Sequence, residues 1–275
     1  MFKSNKLTII AGPCSLECID MCMEVAEFAV NATKKLGIEF IFKGSFDKAN
    51  RTSANSFRGN GMENGLSILS SIRKEFNIPV LTDVHETCQV DSVAKEVDVI
   101  QIPAYLCRQT SLIEKSIKTV DNNDYTTKAL NIKKGQFLAP WDCEMVVEKV
   151  KCFKPNLTRN QLWLTERGTS FGYNNLVVDM KGIHYLKSTG CPIIMDATHA
   201  VQEPGANGSS SGGKRFLVPL LARAAVAAGV DGVFLEIHPD PDNALSDGPN
   251  MLNLQQFKSL INELSRINEL VSQFE

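Results

Sequence analysis

The chain has 275 residues, 43% of them hydrophobic and 22% charged, and 29 basic against 31 acidic side chains leave a net charge of −2. This is the composition of a globular protein with ample apolar material for a core, and it offers no global attraction for nucleic acid or anionic lipid, so any anion site is local. No apolar run approaches the roughly 20 residues that span a bilayer, the opening MFKSNKLTIIAGP has no secretory h-region or cleavage site, and eight scattered cysteines are too few for a disulfide scaffold, all of which point to the cytoplasm.

In chain order, LTIIAG (7–12) reads as a first strand, followed by the helical period IDMCMEVAEFAVNATKKLG (19–37), which Gly37 closes. The spacing Cys14, Cys18, Cys22 suggests a cluster site at first sight, but steps of four place Cys18 and Cys22 on one helical stripe. Further strands are EFIFKG (39–44), PVLTDV (79–84), DVIQIPA (98–104), ALNIKKG (129–135), LWLTERG (162–168), PIIMDATH (192–199) and GVFLEIH (232–238). Each is near-continuously apolar, as a strand covered on both faces requires. Helical stretches intervene, among them CEMVVEKVKCF (143–153), RFLVPLLARAAVAAG (215–229) and the terminal NLQQFKSLINELSRINELVSQFE (253–275), and His184 falls in another as a structural or exposed residue. Eight strand–helix units with no linker between them predict a single-domain (β/α)₈ barrel, and an open doubly wound sheet is disfavoured because GxGxxG is absent after the first strand. Two loops follow the last two strands. QEPGANGSSSGGK (202–214) is a candidate lid, and HPDPDNALSDGPN (238–250) is rich in Asp and Pro.

The C-terminal ends of the strands carry, in order, Cys14, Lys43, Asp83 with His85, Gln101, Lys133, Arg167, His199 and Glu236. A closed barrel brings those ends together on the face where barrel enzymes work, so they predict an active site. Lys43, Lys133 and Arg167 are suited to phosphate and carboxylate groups. The loop KGSFDKANRTS (43–53) adds Lys48, Asn50, Arg51 and Thr52, a second phosphate cradle that is not a Walker A loop. Cys14, His199, Glu236 and Asp247 offer sulfur, nitrogen and carboxylate oxygen, a donor set for one divalent transition ion such as Zn, Fe, Mn or Co. His199 reads equally as a base or a structural residue, and His238 borders the site without a derivable role.

At these residues the sequence resembles the 3-deoxy-D-manno-octulosonate 8-phosphate synthase family. The resemblance rests on IAGPCS (10–15), FKGSFDKANRTS (42–53), QIPAYLCRQT (101–110), NIKKGQFLAPW (131–141), LTERGTSFGYNNLVVD (164–179), MDATHAVQ (195–202) and EIHPDPDNALSDG (236–248), in order over practically the whole chain. It implies condensation of phosphoenolpyruvate with D-arabinose 5-phosphate and water on a (β/α)₈ barrel, in a homotetramer supplying lipopolysaccharide precursors. It implies that Lys43, Gln101, Ala104, Lys133 and Arg167 hold phosphoenolpyruvate. Lys48, Asn50, Arg51 and Thr52 would hold the sugar phosphate, with Arg51 reaching a neighbouring site. Cys14 places the chain with the metal-dependent branch, with Cys14, His199, Glu236 and Asp247 as ligands. The related 3-deoxy-D-arabino-heptulosonate 7-phosphate synthases usually show K-P-R-T-S where this chain has KANRTS, so condensation with erythrose 4-phosphate is the alternative, and a non-catalytic sensor on the same barrel is another. Lys48, Lys133 and His199 are further catalytic candidates, and Asp83, His85 and the metal site are the alternatives for activating the water.

Overall fold

The computed structural model describes residues 2, 6–49, 57–205 and 212–274. Eight parallel strands form its centre: β1 (Thr8–Gly12), β2 (Glu39–Lys43), β3 (Val80–Asp83), β4 (Val99–Ile102), β5 (Ala129–Lys133), β6 (Leu162–Glu166), β7 (Ile193–Asp196) and β8 (Gly232–His238). They pair in that order, and β1 pairs again with β8, from Thr8 opposite Gly232 to Gly12 opposite Glu236, so the sheet closes into a barrel. Eight helices cover the outside: α1 (Ile19–Lys34), α2 (Met62–Phe76), α3 (Val90–Glu96), α4 (Thr110–Thr119), α5 (Cys143–Phe153), α6 (Met180–Lys187), α7 (Val218–Ala227) and α8 (Leu254–Val271). The (β/α)₈ barrel expected from the alternation of strand and helix is the fold observed.

The helices form where apolar residues recur at helical spacing. In α8 the buried apolar residues are Phe257, Leu260, Ile261 and Leu264, one stripe facing the barrel, and the Asn253 side chain caps the helix by accepting from Gln256 N at 2.8 Å. Several strands stop two or three residues short of the apolar run that predicted them. The chain leaves the ladder as soon as it reaches the rim, as at Ala104, which opens a 3-10 turn directly after β4. Helix α1 likewise ends at Lys34, and Gly37 (φ 65°) sits in the left-handed turn beyond it.

Two cores result from the alternation of side chains along each strand. One lies between strands and helices. The other fills the barrel interior with Ile10, Ile41, Leu81, Val99, Ala129, Trp163, Ile194 and Phe234, and Phe2 plugs it from below, its ring 4.8 Å from that of Trp163 in an edge-to-face pair. Beyond the barrel, Leu252–Asn253 runs parallel to Ile237–His238 at the end of β8. That extra pairing folds the 238–250 loop back over the rim and delivers Asp247 to the site. A second small pairing joins Gln202–Glu203 to Gly212–Gly213 at the base of the 202–214 loop, whose residues 206–211 lie outside the described residues. Among the described residues no helix is long and apolar enough to cross a membrane.

Candidate active site at the rim of the barrel

Two residues above the apolar layer, every strand changes character. Ile10, Ile41, Leu81, Val99, Ala129, Trp163, Ile194 and Phe234 are followed at i+2 by Gly12, Lys43, Asp83, Gln101, Asn131, Thr165, Asp196 and Glu236. Because strand side chains alternate, the i+2 residue points the same way one layer higher. The interior is therefore an apolar floor carrying a buried layer with seven polar side chains, above which stand Cys14, Ser45, His85, Lys133 and Arg167. Buried polar groups of this density are tolerated only when they satisfy one another.

They do so largely in pairs. Lys43 Nζ donates to Glu236 Oε1 at 2.9 Å and to the Cys14 carbonyl at 3.1 Å, and Lys133 Nζ donates to Asp196 Oδ2 at 2.6 Å. Both ammonium groups stand over the ring of Phe234, 5.5 and 4.0 Å from its centroid. Burial depresses Lys133 below the ordinary lysine value, against the attraction of Asp196. Burial opposes ionisation of Asp196 and Glu236, but the neighbouring basic groups prevail and hold both well below the usual carboxylate range: His199 and Lys133 for Asp196, Lys43 and His199 for Glu236. Asn131 donates from Nδ2 to Gln101 Oε1 at 3.1 Å and accepts from Thr165 Oγ1 at 2.7 Å, a chain linking β4, β5 and β6.

Two features mark the cationic side as a place for an anion. Arg167 is buried, yet its Nη1 has no partner among the described residues and its Nη2 meets only Gln202 Oε1 at 3.3 Å. Ala104, also buried, opens its 3-10 turn, where a backbone N–H has no acceptor within the helix. On the neighbouring side, Lys48 Nζ donates to Ser45 Oγ at 3.3 Å and lies 3.9 Å from Glu236 Oε1, while Ser45 Oγ donates to Asp83 Oδ1. Burial works against the Lys48 charge, but surrounding acidic groups raise its pKa overall. His85 Nε2 lies 3.2 Å from Asp83 Oδ2, and its buried Nδ1 has no partner among the described residues. The sugar-phosphate candidates Asn50, Arg51 and Thr52 lie outside the described residues.

Of the four expected metal ligands, Cys14, Glu236 and Asp247 form one compact group, and His199 stands beside two of them. Ligand atoms of Cys14, Glu236 and Asp247 lie within 4.8 Å of one another. Cys14 Sγ donates to Asp247 Oδ2 at 3.2 Å, and His199 Nε2 is 3.6 Å from Glu236 Oε2 and 4.0 Å from Asp247 Oδ2. The residues fit a divalent transition ion. Glu236 Oε2 is a buried oxygen without a hydrogen-bond partner among the described residues, and it faces the His199 imidazole. Burial, then the charges of Asp247 and Glu236, push the Cys14 thiol far up, an environment that a cation reverses. Asp247 reaches the set from a left-handed backbone (φ 51°), uncommon for a residue with a side chain. The second carboxylate, Asp196, places Oδ2 2.8 Å from His199 Nδ1, leaving Nε2 to the metal set.

Every described site candidate thus lies on one rim, Cys14 to Asp247. Sequence reasoning missed Asn131, Thr165, Asp196 and Ser45, all of which contact the expected residues. For Asn131, Thr165 and Asp196 the signal was present, a polar residue two positions after a floor residue in an otherwise apolar run, and Ser45 stands four positions after Ile41. His184 is exposed on α6, as expected.

A model of the DAHP synthetase I family matches residues 3–273. The chain belongs to that family. Among relatives of this family member are proteins named 2-dehydro-3-deoxyphosphooctonate aldolase. That of Francisella tularensis subsp. holarctica is 52% identical over 262 residues, covering 94% of this chain and 91% of the relative. The Stenotrophomonas maltophilia protein is also 52% identical, over 95% and 91% of the two chains, and that of Hydrogenovibrio crunogenus is 49% identical over 96% and 92%.

Proposed function

We propose that this chain condenses phosphoenolpyruvate with D-arabinose 5-phosphate and water, releasing 3-deoxy-D-manno-octulosonate 8-phosphate and inorganic phosphate. It is an enzyme of the same kind as the relatives named above, and its product serves lipopolysaccharide synthesis. The observation that carries the reading is the pairing of that identity, about half of all positions over nearly the full length, with Arg167, whose Nη1 has no partner among the described residues, on the same rim as Lys133, Lys43 and Gln101. The family description alone would also admit the heptulosonate condensation with erythrose 4-phosphate. The names of the relatives and KANRTS in place of K-P-R-T-S favour the five-carbon sugar. A cytoplasmic homotetramer is the assembly that the family resemblance supports.

Charge dictates the division of labour. Arg167, Lys133, Lys43 and Gln101, with the backbone at Ala104, bind and orient phosphoenolpyruvate through its phosphate and carboxylate. Lys48, with Asn50, Arg51 and Thr52, takes the sugar phosphate. The enol carbon attacks the aldehyde, forming the new C–C bond, while water adds to the carbon that bears the phosphate. Lys48 donates hydrogen bonds toward the growing negative charge on the aldehyde oxygen. The resulting tetrahedral species breaks its C–O bond, the electron pair leaves with phosphate, and Lys133 and Arg167 neutralise the departing dianion. Asp83, His85 and the metal site are the alternatives for taking the proton from the attacking water. Cys14, His199, Glu236 and Asp247 would hold one divalent ion of the Zn, Fe, Mn or Co kind, which supplies Lewis acidity at the sugar end when bound. The test is phosphate release from phosphoenolpyruvate with arabinose 5-phosphate and, in parallel, erythrose 4-phosphate. Turnover with arabinose 5-phosphate is expected. Preference for erythrose 4-phosphate would overturn the substrate, and silence with both sugars would overturn the reaction.

A further inference from the structure

Behind the rim lies an ion pair that none of these steps uses. Lys134 and Glu166 are the chain neighbours of Lys133 and Arg167, and strand alternation turns their side chains away from the cavity, toward the helices. Lys134 Nζ is 3.4 Å from Glu166 Oε1, and the two side chains are 0% and 3% exposed. The ammonium also reaches the carbonyls of Gly135, Leu138 and Gly168, each at 3.4 Å, and Thr169 Oγ1 at 3.2 Å. Glu166 Oε1 in turn accepts the backbone N–H of Arg167 at 2.9 Å and of Gly168 at 2.6 Å. The surroundings are dry, and burial pushes the nearby Cys143 thiol up to about 12.

Every partner of this pair belongs either to the segment following Lys133 or to the segment following Thr165. The pair therefore stitches together the two chain segments that carry the rim cations. Its purpose is not bulk stability, since a buried ion pair is often matched by apolar residues of the same volume. Arg167 needs such a device, because among the described residues the tip of its guanidinium has one long contact to protein and an Nη1 without a partner. Its direction is set from behind, by a carboxylate holding its own backbone N–H.

We propose that Lys134 and Glu166 are positioning residues that hold Lys133 and Arg167 as one phosphate seat. The inference rests on assigning those two cations to the phosphate of phosphoenolpyruvate. The variant Lys134→Met/Glu166→Gln removes both charges, conserves volume and keeps an acceptor for the backbone N–H groups. Steady-state kinetics should show KM for phosphoenolpyruvate and the inhibition constant for inorganic phosphate rising together by ~10- to 100-fold. KM for arabinose 5-phosphate should stay within about twofold, and the melting temperature should not fall. Glu166→Gln alone should show the same split to a smaller degree, and it serves if the double variant does not fold. Unchanged phosphate inhibition would overturn the proposal, as would a uniform loss of kcat with a lower melting temperature, which marks a packing role. Lys133→Ala and Arg167→Ala separate the two layers of the argument. If neither weakens phosphate inhibition, the seat itself is wrongly assigned. If they do and the double variant does not, only the positioning role falls.

Discussion

Lys133 and Asp196 form a buried ion pair across the barrel, 2.6 Å from ammonium to carboxylate, with side chains 7% and 0% exposed. The same carboxylate stands 2.8 Å from His199 Nδ1 and accepts His199 N–H at 2.9 Å, so one residue orients a rim cation and a candidate metal ligand at once. Asp196→Asn leaves the ammonium without its counter-charge in a dry interior. Breaking one side of such a pair costs ~3–5 kcal/mol, and a misplaced Lys133 should slow phosphate release by about 100-fold. Denaturant unfolding and steady-state kinetics on the same preparation check both. Wild-type stability in this variant would show that the pair is dispensable to the fold.

Asp83 and His85 make the fold sensitive to pH. Burial alone would raise the acid and lower the base, but their hydrogen bond and opposite charges reverse both, so Asp83 lies below its usual value of 3.8 and His85 above 6.5. The His85 contribution is complete below pH 6.5 and is lost as pH rises through the folded value, while that of Asp83 is complete above pH 3.8 and is lost as pH falls through its own. The pair therefore stabilises most between those limits and fades on the alkaline side. Comparing the melting temperature of wild type and His85→Ala from about pH 5 to about pH 9 should show a gap that narrows as pH rises. A gap that is constant or widens contradicts the assignment.

Gly12 occupies the polar layer where the other seven strands carry a side chain. A Cβ there would lie 1.9 Å from the carbonyl oxygen of Lys43, a backbone atom fixed by the pairing of β1 with β2. Gly12→Ala must push apart the strands that deliver Cys14 and Lys43. Overpacking of this kind costs ~1–3 kcal/mol or more, and weaker binding of phosphoenolpyruvate should accompany the loss of stability. A variant with wild-type melting temperature would show that the strands yield at no cost.

The barrel was readable because strands sheathed on both sides are apolar end to end, and their polar ends marked the rim from Cys14 to Glu236. What escaped depends on register. Nothing local in ALNIKKG or LWLTERG distinguishes Lys133, facing the cavity, from Lys134, buried behind it. The distinction comes from the pairing of Lys133 with Thr165, which also brings Glu166 to Lys134. Asn131, Thr165 and Asp196 were passed over because a single polar residue inside an apolar strand looks like an interruption until the floor beneath it is known. Asp247 lies beside Cys14, and its arrival there depends on Leu252–Asn253 pairing with the end of β8, a tertiary contact without a local signature.

The candidate metal site gives the prediction with the widest consequence. Cys14 supplies the only sulfur of the set and is fully buried beside Asp247 and Glu236, whose charges, with burial, disfavour the thiolate when no cation is present. Cys14→Ala should therefore lower the divalent metal content of the purified protein. The loss of affinity should exceed the roughly 10–100-fold that follows removal of a residue merely hydrogen-bonded to a ligand. Chelation of the wild type should abolish phosphate release, and Mn²⁺ or Zn²⁺ should restore it. Elemental analysis before and after chelation is the controlling measurement, because a retained ion would mimic metal independence. Full turnover by protein shown to be free of metal would leave the barrel and its anion seat in place, and would reduce Cys14, His199, Glu236 and Asp247 to a hydrogen-bonded structural cluster.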